Sequence, residues 1–251
     1  MARYFIIFQY DGTLYHGWQR QPNAVTVQSA MEKAMSLLLS TAVELVGAGR
    51  TDTGVHARQM VAHFDFTNPL DTSQLAYKLN RVLPRDIVVR TISQVADDMH
   101  ARFSAKSRTY HYYVHTRKDA FLRSYSCLIT YPLDFDLMNH AAAILMEYQD
   151  FGAFCKSHTD VKTTLCQITE ARWVKIVNPA RPDIDEGSYY FRITANRFLR
   201  NMVRAVVGTL IEVGRGRLSL SDFRSVIEGR NRSDAGESMP ANALFLEKID
   251  Y

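Results

Sequence analysis

Gly47-Ala48-Gly49-Arg50-Thr51-Asp52-Thr53-Gly54-Val55-His56-Ala57 stands between the short apolar run Ala42 to Val46 and the alternating run Val61 to Phe66. That spacing predicts a loop joining two strands. Its three glycines open backbone angles closed to other residues and let a second backbone, or a substrate, come close. Such a loop presents Asp52 rather than burying it. Arg50 stands two residues away, and a guanidinium within a few Å lowers an Asp pKa by roughly 1 to 3 units. An ionised, fixed carboxylate serves as nucleophile or base. The same residues also suit a structural turn in which Asp52 caps backbone amides and Arg50 pairs with it. On the loop alone both readings stand.

Outward from the loop, the first half reads β-α-β-β-α-β. Tyr4 to Phe8 is an almost continuous apolar and aromatic strand, ended by Asp11-Gly12. Val27, Met31, Ala34, Met35 and Leu38 recur at helical spacing after Thr26, a suitable N-cap. Strands at about 42 to 48 and 60 to 66 flank the Asp loop. Asp71 or Thr72 opens a helix carrying Leu75, Leu79 and Val82 that stops before Pro84, and Ile87 to Ile92 is another strand.

The second half repeats the order. Arg108 to Thr116 alternates as a strand, Phe135 to Met146 is helical, and Cys166 to Val177 and Ser188 to Ala195 are strands joined through the loop Pro179-Ala180-Arg181-Pro182-Asp183. Asn196 is placed to cap a long helix running from Arg197 to about Val213. Ser219 caps a short one, and Leu244 to Ile249 closes the chain as a strand. The expected class is α+β: two ferredoxin-like halves with antiparallel sheets, residues 1–104 and 105–251, and an active-site cleft between them.

Composition sets the frame. With 251 residues, 47% of them hydrophobic, the chain can bury one large or two modest cores. A formal charge of +4 suits a polyanionic partner. Cys127, Cys155 and Cys166 form no C-x-x-C pair and are odd in number, which argues against a disulfide framework and for a reduced, cytoplasmic setting. No leader-like segment and no window of 18 uncharged apolar residues is found, so neither export nor a membrane span is expected.

Chemistry-bearing side chains gather elsewhere too. Tyr15-His16-Gly17-Trp18-Gln19-Arg20-Gln21-Pro22 mixes flat rings, amides and a cation. Trp18 and Arg20 could therefore stack on a base and meet a phosphate, although a loop Trp also packs over a core edge. In Arg108-Thr109-Tyr110-His111-Tyr112-Tyr113-Val114, alternation puts Tyr110 with Tyr112 and Val114 on one face and His111 with Tyr113 on the other. In the long helix Phe198, Met202, Ala205, Val206, Leu210 and Val213 make an apolar stripe. Arg197, Arg200, Asn201 and Arg204 fall at i, i+3, i+4 and i+7 on another face. Arginines in a first turn oppose the helix dipole, so that face reads either as anion-binding or as solvated charge. A metal site of Asp52, His56, His63 and Asp65 is a weaker reading, because strand alternation accounts for His63 and Asp65.

Gly47 to Ala57 resembles the catalytic motif of the tRNA pseudouridine synthase A (TruA) family. Other motifs follow in that family's order: Tyr10-Asp11-Gly12, Gly17-Trp18-Gln19, Gln21-Pro22, Leu79-Asn80, Leu83-Pro84, Ala101-Arg102-Phe103-Ser104-Ala105 with the Arg-x-Tyr-x-Tyr strand, Phe198 to Gly208, and Pro240 to Leu244. The resemblance covers nearly the whole chain. It implies that Asp52 is the nucleophile that attacks a uridine and that Arg204 is its partner. Tyr110 sits against the target base, Leu244 lines its pocket, and Arg50 and Arg200 are left to serve the RNA.

The implied reaction is isomerisation of uridine to pseudouridine at positions 38, 39 and 40 of the tRNA anticodon stem-loop, in a homodimer and without a cofactor. Arg197, Met60 and Ala243 stand where the family usually has Gly, Gln and Gly, departures that bear on substrate range more than on chemistry. The rival from another class is a catalytically silent tRNA-binding protein using the same basic and aromatic surface.

Overall fold

The computed structural model describes residues 1–156, 162–177 and 187–251. The loop expected at Pro179 to Asp183 lies outside them. The chain divides into two compact units, Met1–Lys106 with Phe245–Tyr251, and Ser107–Leu244. The sequence division at residues 1–104 and 105–251 does not send the last strand back to the first unit. The chain does so because Phe245 and Leu246 pair with His56 and Ala57.

The first unit carries β1 (Ala2–Tyr10), α1 (Val27–Leu39), β2 (Val46–Gly47), β3 (His56–Phe66), α2 (Thr72–Val82) and β4 (Ile87–Val95). β1 pairs antiparallel with β3, Phe5 opposite His63, and with β4, Phe5 opposite Ser93. Both helices start where their caps dictate. Thr26 accepts from the Ser29 amide in a capping box, and Asp71 accepts from the Gln74 amide. α2 ends at Val82, with Leu83 as its extended C-cap just before Pro84. The strand expected over residues 42–48 shrinks to Val46–Gly47 because the amides before it are used otherwise. Val43 donates to Ser36 Oγ, and Leu45 donates to Glu32 Oε1, both at 3.0 Å.

The second unit holds β5 (Ser107–His115), β6 (Cys127–Leu128), α3 (Phe135–Ile144), β7 (Ile168–Lys175), β8 (Ser188–Ala195), α4 (Met202–Gly214) and α5 (Leu220–Gly229), after which β9 (Leu244–Asp250) begins. β8 lies antiparallel between β5 and β7, and β6 runs parallel to β5. Tyr112, Phe151, Phe154, Phe191 and Phe223 are fully buried in its core. Burial of rings this size supplies most of the stabilisation. The fold is α+β with mostly antiparallel pairing; β3 with β9 and β5 with β6 run parallel.

The long helix begins five residues later than its pattern predicts. Asn196 does not cap it: its side chain accepts from the Gln167 amide and its own amide donates to Gln167, tying β8 to the segment before β7. Asn201 sits at φ +67°, a left-handed conformation that stops a right-handed helix from extending back through it. Arg197, Arg200 and Asn201 therefore precede the helix, and of the expected arginine stripe only Arg204 lies on it.

None of the three cysteines forms a disulfide. Among the described residues no helix is long and apolar enough to cross a membrane.

Candidate active site

In the first unit the Asp loop is gripped by the segment that follows β1. The Trp18 amide donates to the Thr51 carbonyl at 3.2 Å, and the Gly54 amide donates to that of Tyr15 at 3.3 Å. The Tyr10 and Thr51 hydroxyls meet at 2.8 Å in the interior. The Gly12 amide donates to Nδ1 of the buried His56 at 3.0 Å, and the His56 ring stacks on Phe245. Val55 donates to the Asp52 carbonyl and closes the turn. Two glycines allow this approach. A Cβ on Gly12 would lie 2.0 Å from the Val55 carbonyl oxygen, and one on Gly17 would lie 2.3 Å from that of Thr51, at φ +82°.

The consequence is a half-buried Asp52 on a loop fixed from both sides. Tyr15 extends the clamp by donating to Asp86 at 2.7 Å; burial, then that bond, pushes its pKa well above the usual phenol range.

Trp18 does not offer a face to a base. It is 3% exposed, packs 5.5 Å from the Phe8 ring, and its indole fills the space where Gly47 has no side chain. The expectation of stacking gives way to a structural role, since Trp18 supports the start of the Asp loop from below. A Trp set beside a glycine-rich loop is the signal that would have found this. Arg20 is exposed and reaches back to Glu32 at 3.2 Å, whose other oxygen holds Leu45. Arg50 is exposed. His63 accepts from the Ala101 amide and Asp65 forms a two-pronged pair with Arg3, so both have work in the fold.

In the second unit Tyr110 is half-buried and meets the Phe198 ring edge-on at 5.1 Å and 84°. Tyr112 and Val114, which alternation places on its face, are buried, and so are His111 and His115 on the other. Phe198 comes from the turn before α4. That turn is held by the Lys156 amide on the Arg200 carbonyl and by Asn201 Nδ2 on Ser238 Oγ. Arg204, half-buried in the first turn of α4, donates from Nε to the Met239 carbonyl at 2.5 Å, and the Met239 amide returns a bond to the Arg204 carbonyl.

Residues 236 to 240 can lie this close to the helix because Gly208 has no Cβ. One built there would sit 1.9 Å from the Glu237 carbonyl oxygen. The Gly236 amide donates to Thr209 Oγ1, and Tyr112 Oη donates to the Pro240 carbonyl at 3.0 Å. Leu244 is buried where this segment enters β9, and Arg200 is exposed.

Each unit thus fixes one part of the expected constellation: Asp52 with Arg50 in the first, and Tyr110, Arg204 and Leu244 in the second. The supports of both parts escaped the sequence reading. Tyr10, Gly12, Tyr15 and Gly17 act across about forty intervening residues, and Ser238 and Met239 across a similar span.

A family model described as tRNA pseudouridine synthase matches residues 6–104 and 141–251. The chain is 54% identical to the tRNA pseudouridine synthase A of Bacteroides fragilis, over all of this chain and 97% of that protein. Identity is also 54% to the protein of that name from Bacteroides thetaiotaomicron (all of this chain, 91% of the other), and 53% to that of Porphyromonas gingivalis (all and 98%). Matches of this length and identity establish that the chain belongs to the tRNA pseudouridine synthase family.

Proposed function

We propose that this chain isomerises uridine to pseudouridine at positions 38, 39 and 40 of the tRNA anticodon stem-loop, with Asp52 as nucleophile. Membership of the family supports the coarser part, an isomerase acting on tRNA. One observation supports the role given to Asp52: its carboxylate, in the stretch that resembles the family's motif, sits on a loop clamped through Tyr10, Gly12, Tyr15 and Gly17; the three positions follow from the resemblance alone. A pre-positioned nucleophile loses little freedom on reaching the transition state.

In the reaction the bond from ribose C1′ to N1 breaks, the base turns, and C1′ bonds to C5, whose hydrogen leaves as a proton while N1 takes one up. No oxidant, reductant or external cofactor enters that balance. Asp52 attacks the base or acts through the ribose, and Arg204 serves as its counter-charge. Tyr110 packs on the base and relays the proton leaving C5, while Leu244 completes the apolar wall. A target inside a stem must first leave the stack, at a cost of a few kcal/mol. Arg20, Arg50 and Arg200, all exposed, are assigned to phosphates that offset this cost. The working unit is a homodimer, across which one tRNA contacts both subunits.

The test is positional. Unmodified tRNA incubated with the protein and mapped for pseudouridine gains it at 38, 39 or 40. Modification confined to other positions would overturn the assignment, and none at all would favour a silent tRNA binder.

A further inference from the structure

One sequence motif has no role in the mechanism above: Ala101-Arg102-Phe103-Ser104-Ala105. It forms a turn in which every polar backbone group named here has a partner inside the first unit. The Arg102 and Phe103 amides both donate to His100 Nδ1, at 3.0 and 3.3 Å, and the Ser104 amide donates to the His100 carbonyl. The His100 amide donates to Ser104 Oγ at 2.9 Å. The turn is also pinned to β3 and to the chain end. The Ala101 amide donates to His63 Nδ1 at 3.1 Å, its carbonyl accepts from Tyr251 Oη at 2.6 Å, and the His63 and His100 rings meet edge to face at 4.6 Å. Ala101 itself is fully buried.

On this fixed base stands a ring that the core does not take in. Phe103 is 76% exposed, with its ring against His100 at 4.4 Å and the Arg102 guanidinium over the ring, 5.6 Å from its centroid, so that an arriving base takes the place of the guanidinium or stacks upon it. A lone exposed apolar residue is ordinary on a mobile loop. Here the backbone is held by six hydrogen bonds, so the ring stands on a fixed base with most of its surface open to solvent. A flat ring beside a guanidinium is the combination that receives unpaired nucleobases, because every base has a π face and the cation meets the adjoining phosphate. Arg102 and Lys106 are both exposed.

From these observations we propose that Phe103, set on His100 and flanked by Arg102, is a stacking shelf for an unpaired base of the tRNA. The proposal rests on the reading that the substrate is tRNA. The shelf abuts His63, whereas the Asp loop enters β3 at His56. Seven residues of strand separate these by roughly 20 Å, so the shelf meets the RNA away from the target uridine. It contributes binding that is equal in ground and transition states, which acts on KM and not on kcat.

The experiment compares wild type, Phe103→Leu and Phe103→Tyr for binding to transcribed tRNA by fluorescence anisotropy, and for turnover on the same tRNA. Leu keeps the apolar contact with His100 but has no π face; Tyr keeps both. Expected are a Kd and KM raised about tenfold in Phe103→Leu, kcat and thermal midpoint unchanged, and wild-type values in Phe103→Tyr. Equal affinity of Phe103→Leu and wild type would overturn the shelf, and so would equal weakness of both variants. Because binding is read separately, a wild type that binds tRNA without turnover sinks the catalytic reading while the shelf is still judged by Kd.

Discussion

The hydroxyls of Tyr10 and Thr51 meet at 2.8 Å inside the first unit, one residue before Asp52. The end of β1 and the loop that bears the carboxylate are joined there in a place shielded from water. Tyr10→Phe leaves the Thr51 hydroxyl without that partner, at a cost of about 1 to 3 kcal/mol. The loop then holds Asp52 less closely, so kcat falls about tenfold while tRNA affinity stays near wild type. A denaturant midpoint and a kcat both equal to wild type would show that the bond neither stabilises nor positions the loop.

His63 links stability to pH. Burial, then the charges of Arg3 and His100, lowers its pKa from 6.5 to about 4. Between those values the unfolded chain takes up a proton that the folded chain refuses. The stabilisation is therefore full above about pH 6.5 and is lost as pH falls toward 4. His100 and His115, both lowered chiefly by burial, act in the same direction. The Arg3 bond holds Asp65 below the usual carboxylate range, so its contribution is lost only at lower pH. The urea midpoint should drop between pH 7 and pH 5, and His63→Gln should make the drop shallower. An unchanged drop in that variant would remove His63 from the explanation.

The late start of α4 divides the arginines into two kinds. Arg200 is exposed on the turn before the helix, whereas Arg204 is half-buried and bonded to Met239. If Arg200 meets a phosphate, Arg200→Ala lowers the slope of log affinity against log salt by about 0.7 to 0.9. Arg204→Ala should leave that slope nearly unchanged and act on kcat. Titrations at several salt concentrations that give parallel lines for wild type and Arg200→Ala would return Arg200 to solvent.

What could be read from the sequence follows the range of the interaction that decides it. Thr26, Asp71 and Ser219 cap their helices through residues three positions away, so a local reading finds α1, α2 and α5. β8 needs only its own alternation. Local pattern misplaces Asn196 and leaves Trp18 open between stacking and packing, because their partners are distant or unusual: Asn196 serves Gln167, and Trp18 fills the gap beside Gly47. Nor does spacing show that Gly208 admits a neighbouring backbone, on which the seat of Arg204 depends. The glycines mark the segment around Asp52 as a loop; the clamp that fixes it leaves no local sign, because it is made of pairs far apart in the chain.

The most direct test of the central claim uses tRNA labelled with tritium at uridine C5, since bonding C5 to the ribose expels that hydrogen into water. Wild type should release tritium. Asp52→Asn should bind the same tRNA with near-wild-type affinity and release none. Release by Asp52→Asn at the wild-type rate would contradict the assignment of Asp52 as nucleophile and return its loop to a structural turn.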